Sequence, residues 1–145
     1  MSDSVFARFR SPPSAAAPSP YKVEQMSKIP LRQVLAWALA AFFVAGSLGN
    51  IFAARSIIEE YARWGYPTWF HFVTGSLELT TAALLVWAPS RLWGAALGCT
   101  VMCAALGTVI IHGEYGHAAP PLVVAGLAIV VGCVTWRNRL SQVGA

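Results

Sequence analysis

The sequence predicts an all-α protein, a four-helix transmembrane bundle with a short amphipathic interfacial helix in its first outer loop. Of its 145 residues, 57% are hydrophobic and only 11% are charged, whereas a soluble domain carries about a quarter charged residues. Four nearly uncharged stretches, each close to the roughly 20 residues that a spanning helix needs, lie at 34–54, 68–88, 92–112 and 118–136. Lipid is therefore the predicted solvent of the domain.

Basic residues predict how the four spans are oriented. Both termini and the second loop lie on one side of such a bundle and carry eight lysines and arginines, whereas the other side carries Arg55 and Arg63. This bias predicts a multi-pass protein of the plasma (inner) membrane with both termini cytoplasmic. All six tryptophans lie near span ends, at the level of lipid headgroups. The net charge of +4 belongs mainly to the cytoplasmic flank, so the bilayer, and not nucleic acid, is the predicted partner.

The composition divides the chain into a membrane domain and two tails. Residues 1–30 are rich in Ser, Pro and Ala and cannot bury much apolar surface, which predicts a disordered cytoplasmic tail. The four-span domain covers 31–137, and a short cytoplasmic tail covers 138–145. Within the third span, Gly94 and Gly98 are spaced four apart, which predicts close packing between helices.

The first outer loop carries the pattern of a short amphipathic helix. Ser56 and Glu59 match the capping box that often opens a helix. Ile57, Tyr61 and Trp64 recur at helical spacing, which predicts one apolar face lying on the outer membrane surface.

Glu78 is the most informative residue because it lies inside the second predicted span. An ionised, unpaired carboxylate at that depth costs about 2.5–3.5 kcal/mol on insertion scales. Counting helix turns brings Asn50, His71 and Thr74 into the same half of the bundle. His112 ends the third span on the same outer side. These side chains together predict a polar cavity in the outer half of the bundle.

Two interpretations of this cavity follow from the residues. In the functional one, it is a proton-handling or quinone-contacting site where Glu78 exchanges protons with a nearby histidine. In the structural one, a Thr hydroxyl, Asn50 or a backbone carbonyl satisfies the carboxyl, which then holds two helices together. Intramembrane acids mark functional sites more often than struts, which favours the first interpretation.

Other chemistry has little support in the sequence. The segment 112–117 contains two His and one Glu but matches no strong metal-ligand spacing, so it is predicted to be a solvated loop without a metal. Cys99, Cys103 and Cys133 lie inside spans and are predicted to be small apolar fillers. There is no phosphate-binding loop, nucleophile elbow or HExxH motif, so soluble hydrolase and nucleotide-binding chemistry are not predicted.

Several segments resemble the DoxX-like family. They are the turn 61–70 (YARWGYPTWF), the second-span pattern 75–79 (GSLEL) followed by 82–89, and the third-span residues Gly94, Ala95, Met102, Ala104, Ala105 and His112. The resemblance covers about residues 34–136 and implies a small four-helix membrane protein. It also implies a relation to the membrane subunit of thiosulfate:quinone oxidoreductase and to oxidative-stress responses. Where the family often has a lysine, this chain has Asn50, so a Lys–Glu ion pair is not implied.

The resulting functional hypothesis is an accessory subunit of a quinone-linked membrane redox system, without an independent catalytic motif of its own. Glu78 would exchange the proton, with His71 and His112 as relays. The cavity of Asn50 and Thr74, walled by the aromatic residues Trp64, Tyr66, Trp69 and Phe70, would contact a quinone. No intrinsic cofactor is predicted, so a redox partner protein would supply the electrons. The alternative is a non-enzymatic membrane scaffold or a small-solute or proton pathway protein.

Overall fold

The computed structural model describes residues 30–143 of the chain. Within that range the regular structure is helical throughout and contains no strand, which confirms the all-α prediction. The predicted tail at 1–30 lies outside the described residues apart from Pro30, as do the last two residues of the predicted tail at 138–145.

The described chain forms five α-helices and one turn of 3-10 helix. In chain order they are α1 (Leu31–Ile51), α2 (Arg55–Arg63), α3 (Phe70–Val86), α4 (Arg91–Ile111), the 3-10 turn (Tyr115–His117) and α5 (Ala119–Val143). The last helix continues beyond residue 136, where the apolar stretch ends.

Proline and glycine mark most of the helix boundaries. Pro30 directly precedes α1, and Pro120 and Pro121 occupy the first turn of α5, where a missing N–H is tolerated. Gly65 and Gly113 follow α2 and α4 with φ of 78° and 71°, left-handed values that favour glycine.

Helix α2 begins differently from the sequence prediction. Its N-cap is Ala54, and no side chain caps the helix there, so the capping box of Ser56 and Glu59 is not formed. The Glu59 carboxylate instead pairs with the Arg55 guanidinium, with 2.9 Å between Oε1 and Nε. This (i, i+4) ion pair occupies the carboxylate that a capping box would need.

Three helical segments are long and apolar enough to cross a membrane. They are α1, α4 and the segment Tyr115–Gln142, which contains most of α5. Helix α3 is equally apolar but shorter, with 17 residues. Its length of about 26 Å falls slightly short of the hydrocarbon thickness of a bilayer, about 30 Å.

The four longer helices pack in a ring, in which α1 contacts α3, α3 contacts α4, α4 contacts α5, and α5 returns to α1. The residue pairs that contact each other between α1 and α3 show how these two helices are oriented. Asn50 of α1 meets His71 of α3, and Gly46, one turn earlier in α1, meets Glu78, two turns later in α3. Helices α1 and α3 are therefore antiparallel, which brings the end of α1 beside the start of α3.

The apolar surface of this ring faces outward as well as inward. Its centre buries Phe43, Leu85 and Ala128 almost completely. Large apolar side chains also cover the outside, and Trp93 and Ile111 are 70% and 82% exposed. Such a continuous apolar exterior would be unfavourable in water and is expected of helices that contact lipid.

Small residues let α4 approach its neighbours closely. A Cβ atom added at Gly94 would lie 2.8 Å from the backbone nitrogen of Leu85 in α3. One added at Gly98 would lie 2.9 Å from the ring of Phe43 in α1. The glycine spacing in the third apolar stretch therefore serves packing within the bundle.

Replacing Gly94 with alanine should destabilise the bundle, because the added methyl group meets the backbone of α3 and not a movable side chain. We expect G94A to lower the unfolding free energy in detergent or bicelles by about 1–3 kcal/mol. The matched control is G107A in the same helix, where nothing lies within 4 Å of the added Cβ. Equal stabilities of the two variants would contradict the packing described for α4.

Candidate functional site

Asn50 connects three helices through hydrogen bonds near the end of α1. Its side-chain N–H donates to Oε2 of Glu78 in α3 at 3.0 Å and to the carbonyl of Gly46 at 3.2 Å. Its side-chain oxygen accepts a hydrogen bond from the Tyr61 hydroxyl of α2, also at 3.0 Å. A single amide therefore satisfies polar groups from α2 and α3 in a largely apolar bundle.

The Glu78 carboxyl is buried against the backbone of α1. Only 5% of the residue is exposed. A Cβ atom added at Gly46 would lie 2.9 Å from Oε1 and 3.1 Å from Oε2. Gly46 thus provides the space that the carboxyl occupies, and Asn50, four residues later on the same helix face, provides its hydrogen-bond donor.

His71 also contacts Asn50, but at the main-chain carbonyl, whereas Glu78 contacts the side chain of Asn50. Its Nδ1 lies 2.7 Å from the carbonyl oxygen of Asn50, and the residue is 6% exposed. A carbonyl can only accept a hydrogen bond, so Nδ1 carries the proton. His71 therefore holds the backbone of Asn50, while the side chain of Asn50 holds Glu78.

Aromatic rings form a cluster where α2 folds back onto α3. Tyr66 stacks on Phe70 with 4.4 Å between ring centroids, and its hydroxyl lies 2.8 Å from the Thr108 hydroxyl of α4. The Tyr61 ring lies 5.7 Å from Trp64 and 5.9 Å from Tyr66. Burial raises the pKa of Tyr61 above its ordinary value, so its hydroxyl remains a donor to Asn50 at neutral pH.

A cavity of about 470 Å³ opens beside this hydrogen-bond network. Its walls come from α1, α2, α3, α4 and the start of α5. Apolar side chains predominate in its lining. The lining residues are Phe42, Gly46, Asn50, Ile57, Glu60, Tyr61, Trp64, Thr74, Glu78, Met102, Ala105, Val109, Gly116, His117, Pro120 and Pro121.

The structure brings some of the predicted site residues to this cavity and places others elsewhere. Asn50, Trp64, Thr74 and Glu78 line it. Those that do not line it are His71, Tyr66, Trp69, Phe70 and His112.

Each of these other residues has a different local role. His71 lies behind Asn50, and Tyr66 and Phe70 form the aromatic stack. Trp69 is 57% exposed at the start of α3. His112 is also exposed, and its Nδ1 donates to the carbonyl of Thr108 at 2.8 Å, so it closes its own helix.

One ion pair joins the segment after α4 to α2. Glu114 lies 3.0 Å from the Arg63 guanidinium and 3.3 Å from Nδ1 of His117. Desolvation raises the pKa of Glu114, but the positive charge of Arg63 and the contact with His117 lower it by more, so its pKa lies below the ordinary value. Among the described residues, no three His, Cys, Asp or Glu side chains are grouped to hold a metal ion.

Sequence reasoning missed Gly46, Glu60 and His117 as site residues and did not assign Tyr61 to the cavity. Gly46 could have been predicted from the sequence, because it lies one turn before Asn50 and therefore on the same helix face. The contribution of α2 could not be predicted, since it depends on the helix folding back over the bundle.

The contact between Gly46 and Glu78 can be tested with one methyl group. We expect G46A to lower the unfolding free energy by about 1–3 kcal/mol, because its Cβ would overlap the carboxyl. The control G49A lies in the same helix with nothing within 4 Å of the added Cβ, and should not lower stability, because alanine favours a helix more than glycine does. Adding Glu78→Ala should remove most of the G46A penalty. A penalty that persists in the double variant would show that the carboxyl does not occupy this space.

Comparison with known proteins places the chain in a family. Residues 34–131 match the DoxX-like family. The chain is also similar to the uncharacterized protein YdgD of Bacillus subtilis (strain 168), with 28% identity over 95 residues, which cover 64% of this chain and 81% of that protein. No solved structure matches. The family match and the long apolar helices together indicate a membrane protein. The chain therefore belongs to the DoxX-like family.

Proposed function

We propose that the chain crosses the plasma membrane four times, and that α3 is a span in addition to the three helical segments that are long enough by themselves. Helix α3 packs between α1 and α4, each long and apolar enough to span. A helix held between two spans must occupy the same depth of the bilayer. The exposed tryptophans Trp69 and Trp87, directly before and after α3, can extend its apolar length to the headgroups.

The charges of the described residues favour cytoplasmic termini. Arg91 begins α4 and Arg137 and Arg139 lie near the end of α5, all at the same end of the ring as Arg32. The turn between α3 and α4 is at this end as well. The positive-inside rule assigns it to the cytoplasm. Helix α2 then lies at the outer surface, with Ile57, Tyr61 and Trp64 turned toward the cavity.

Within this topology, the cavity suits a small ligand that is mainly apolar and carries a few polar atoms. Its volume falls in the range of about 300–1,000 Å³ that is typical of small-molecule sites. Apolar walls from Phe42, Met102 and Val109 lead to the carboxyl of Glu78. A quinone head group has this chemistry, since its ring is apolar and its oxygens accept hydrogen bonds.

The protein is accordingly an accessory subunit of a quinone-linked redox system, in which Glu78 exchanges a proton with the bound quinone. One observation carries this proposal: Glu78 is buried at the cavity and Asn50 occupies Oε2, while no side chain among residues 30–143 donates a hydrogen bond to Oε1. That oxygen is available to a ligand. The electrons would come from a redox partner protein, because quinone reduction consumes electrons together with protons.

The two histidines have different parts in this proposal. His71 is a positioning residue, because its hydrogen bond fixes the main chain of Asn50 and so the donor to Glu78. His112 lies at the aqueous end of α4, beside the Trp64 ring at 6.2 Å. A relay role there would require water between His112 and the cavity.

Binding can be tested by filling the cavity from one side. Ala105 lines it, whereas Ala104, the preceding residue of α4, is exposed and does not. We expect A105F to weaken binding of a radiolabelled short-chain quinone to the purified protein by at least about tenfold. A104F should bind as the wild type does. Equal binding by both variants would refute the cavity as the quinone site.

The proton role of Glu78 needs a separate variant. E78Q keeps the shape of the side chain and a hydrogen-bonding group but cannot exchange a proton. We expect it to insert and bind quinone, and to lose quinone reduction in membranes from cells that depend on this protein. Glu59→Gln, an exposed residue of α2 that does not line the cavity, is the control. Unchanged activity of an inserted E78Q variant would leave a scaffold or solute-pathway protein as the better account.

A further inference from the structure

A second cavity lies at the opposite end of the bundle from the Glu78 network. It has a volume of about 290 Å³ and is formed by the start of α1, the turn between α3 and α4, and the end of α5. Three of its lining residues are the arginines Arg32, Arg91 and Arg139. The remaining lining residues are Ala88, Pro89, Thr135, Asn138 and Gln142.

Main-chain carbonyls hold two of these guanidinium groups in place. Arg91 is 8% exposed, and its Nε donates to the carbonyl of Leu85 at 3.0 Å. Arg139 donates through Nη2 to the carbonyl of Pro89. A guanidinium has five N–H donors, so each keeps several after these contacts. Both groups are therefore oriented before a ligand binds, which lowers the entropic cost of binding.

No acidic side chain of the described chain neutralises this cavity. The glutamates in residues 30–143 are Glu59, Glu60, Glu78 and Glu114, and none lines the cavity or forms a salt bridge with its arginines. Arg91 is also buried from solvent, where an unpaired charge is costly. Three arginines lining one cavity, with no acidic side chain among residues 30–143 beside them, create a site that favours an anion.

We propose that this cavity binds the phosphate group of an anionic phospholipid. The planar fork of arginine matches phosphate oxygens in a bidentate manner, and several arginines acting together favour phosphate over smaller, singly bonded anions. A lipid is the favoured source because exposed apolar side chains, including Trp93, Trp136 and Leu140, lie on the same end of the bundle. Acyl chains can pack on that surface while the headgroup enters the cavity.

This proposal rests on the membrane placement of the helices but not on the redox role of Glu78. Loss of quinone binding would leave it intact, and loss of lipid binding would leave the quinone site intact. The two sites are at opposite ends of the bundle and share no lining residue.

Lipid binding to the full chain, purified in mild detergent, tests the proposal by native mass spectrometry and thermal shift. We expect phosphatidylglycerol to bind and to raise the melting temperature more than zwitterionic phosphatidylcholine. R32Q and R139Q should each weaken phosphatidylglycerol binding by about tenfold, because each removes charge-assisted hydrogen bonds to phosphate. Arg91 is left unchanged because it is buried, so removing its guanidinium would also disturb the packing of α4 against α3.

The control is R137Q, which removes a positive charge from the same end of α5 but does not line the cavity. It should bind phosphatidylglycerol as the wild type does. Equal loss in R137Q and R139Q would show general attraction of lipid to a basic surface and overturn the proposed site. Inorganic phosphate at millimolar concentration is the second arm, and a melting shift as large as that of the lipid would overturn the assignment to a phospholipid.

Discussion

The hydrogen bond between Asn50 and Glu78 is the constraint on which the polar half of this protein depends. A carboxyl inside a bundle with an apolar exterior needs a partner, because burial of an unpaired polar group is costly. Asn50 provides that partner from α1, and Gly46 leaves the space in which the carboxyl lies against the helix backbone. The same amide then accepts from Tyr61, so the position of α2 depends on it as well.

The polar and charged side chains of the bundle gather toward its two ends. Glu78, Asn50, Thr74 and Tyr61 converge on a cavity at one end, and α2 covers it with an aromatic cluster. The arginines gather at the other end around the turn between α3 and α4. In the proposed topology these ends face different aqueous phases. A proton-exchanging carboxyl at one end and an anion site at the other are the two functions that we propose for them.

The sequence predicted the helical class and the position of Glu78 inside an apolar helix, because long uncharged stretches and a single acid within one of them are properties of composition and spacing. Asn50 and Thr74 were predicted as its neighbours because depth along antiparallel helices can be counted in turns. Helix rotation cannot be counted in that way. The sequence therefore placed His112 toward the cavity, whereas in the structure it closes its own helix. It also predicted a capping box at Ser56, where an ion pair of Arg55 with Glu59 forms instead.

A double-mutant cycle between Asn50 and Glu78 tests the central interaction most directly. The unfolding free energies of wild type, N50A, E78A and the double variant would be measured in bicelles. We expect a favourable coupling energy between about 0.6 kcal/mol, the average for interhelical hydrogen bonds in a membrane protein, and about 1.7 kcal/mol, the maximum. Additive single effects, with a coupling energy within about 0.3 kcal/mol of zero, would contradict it, because the carboxyl would then not depend on the Asn50 amide.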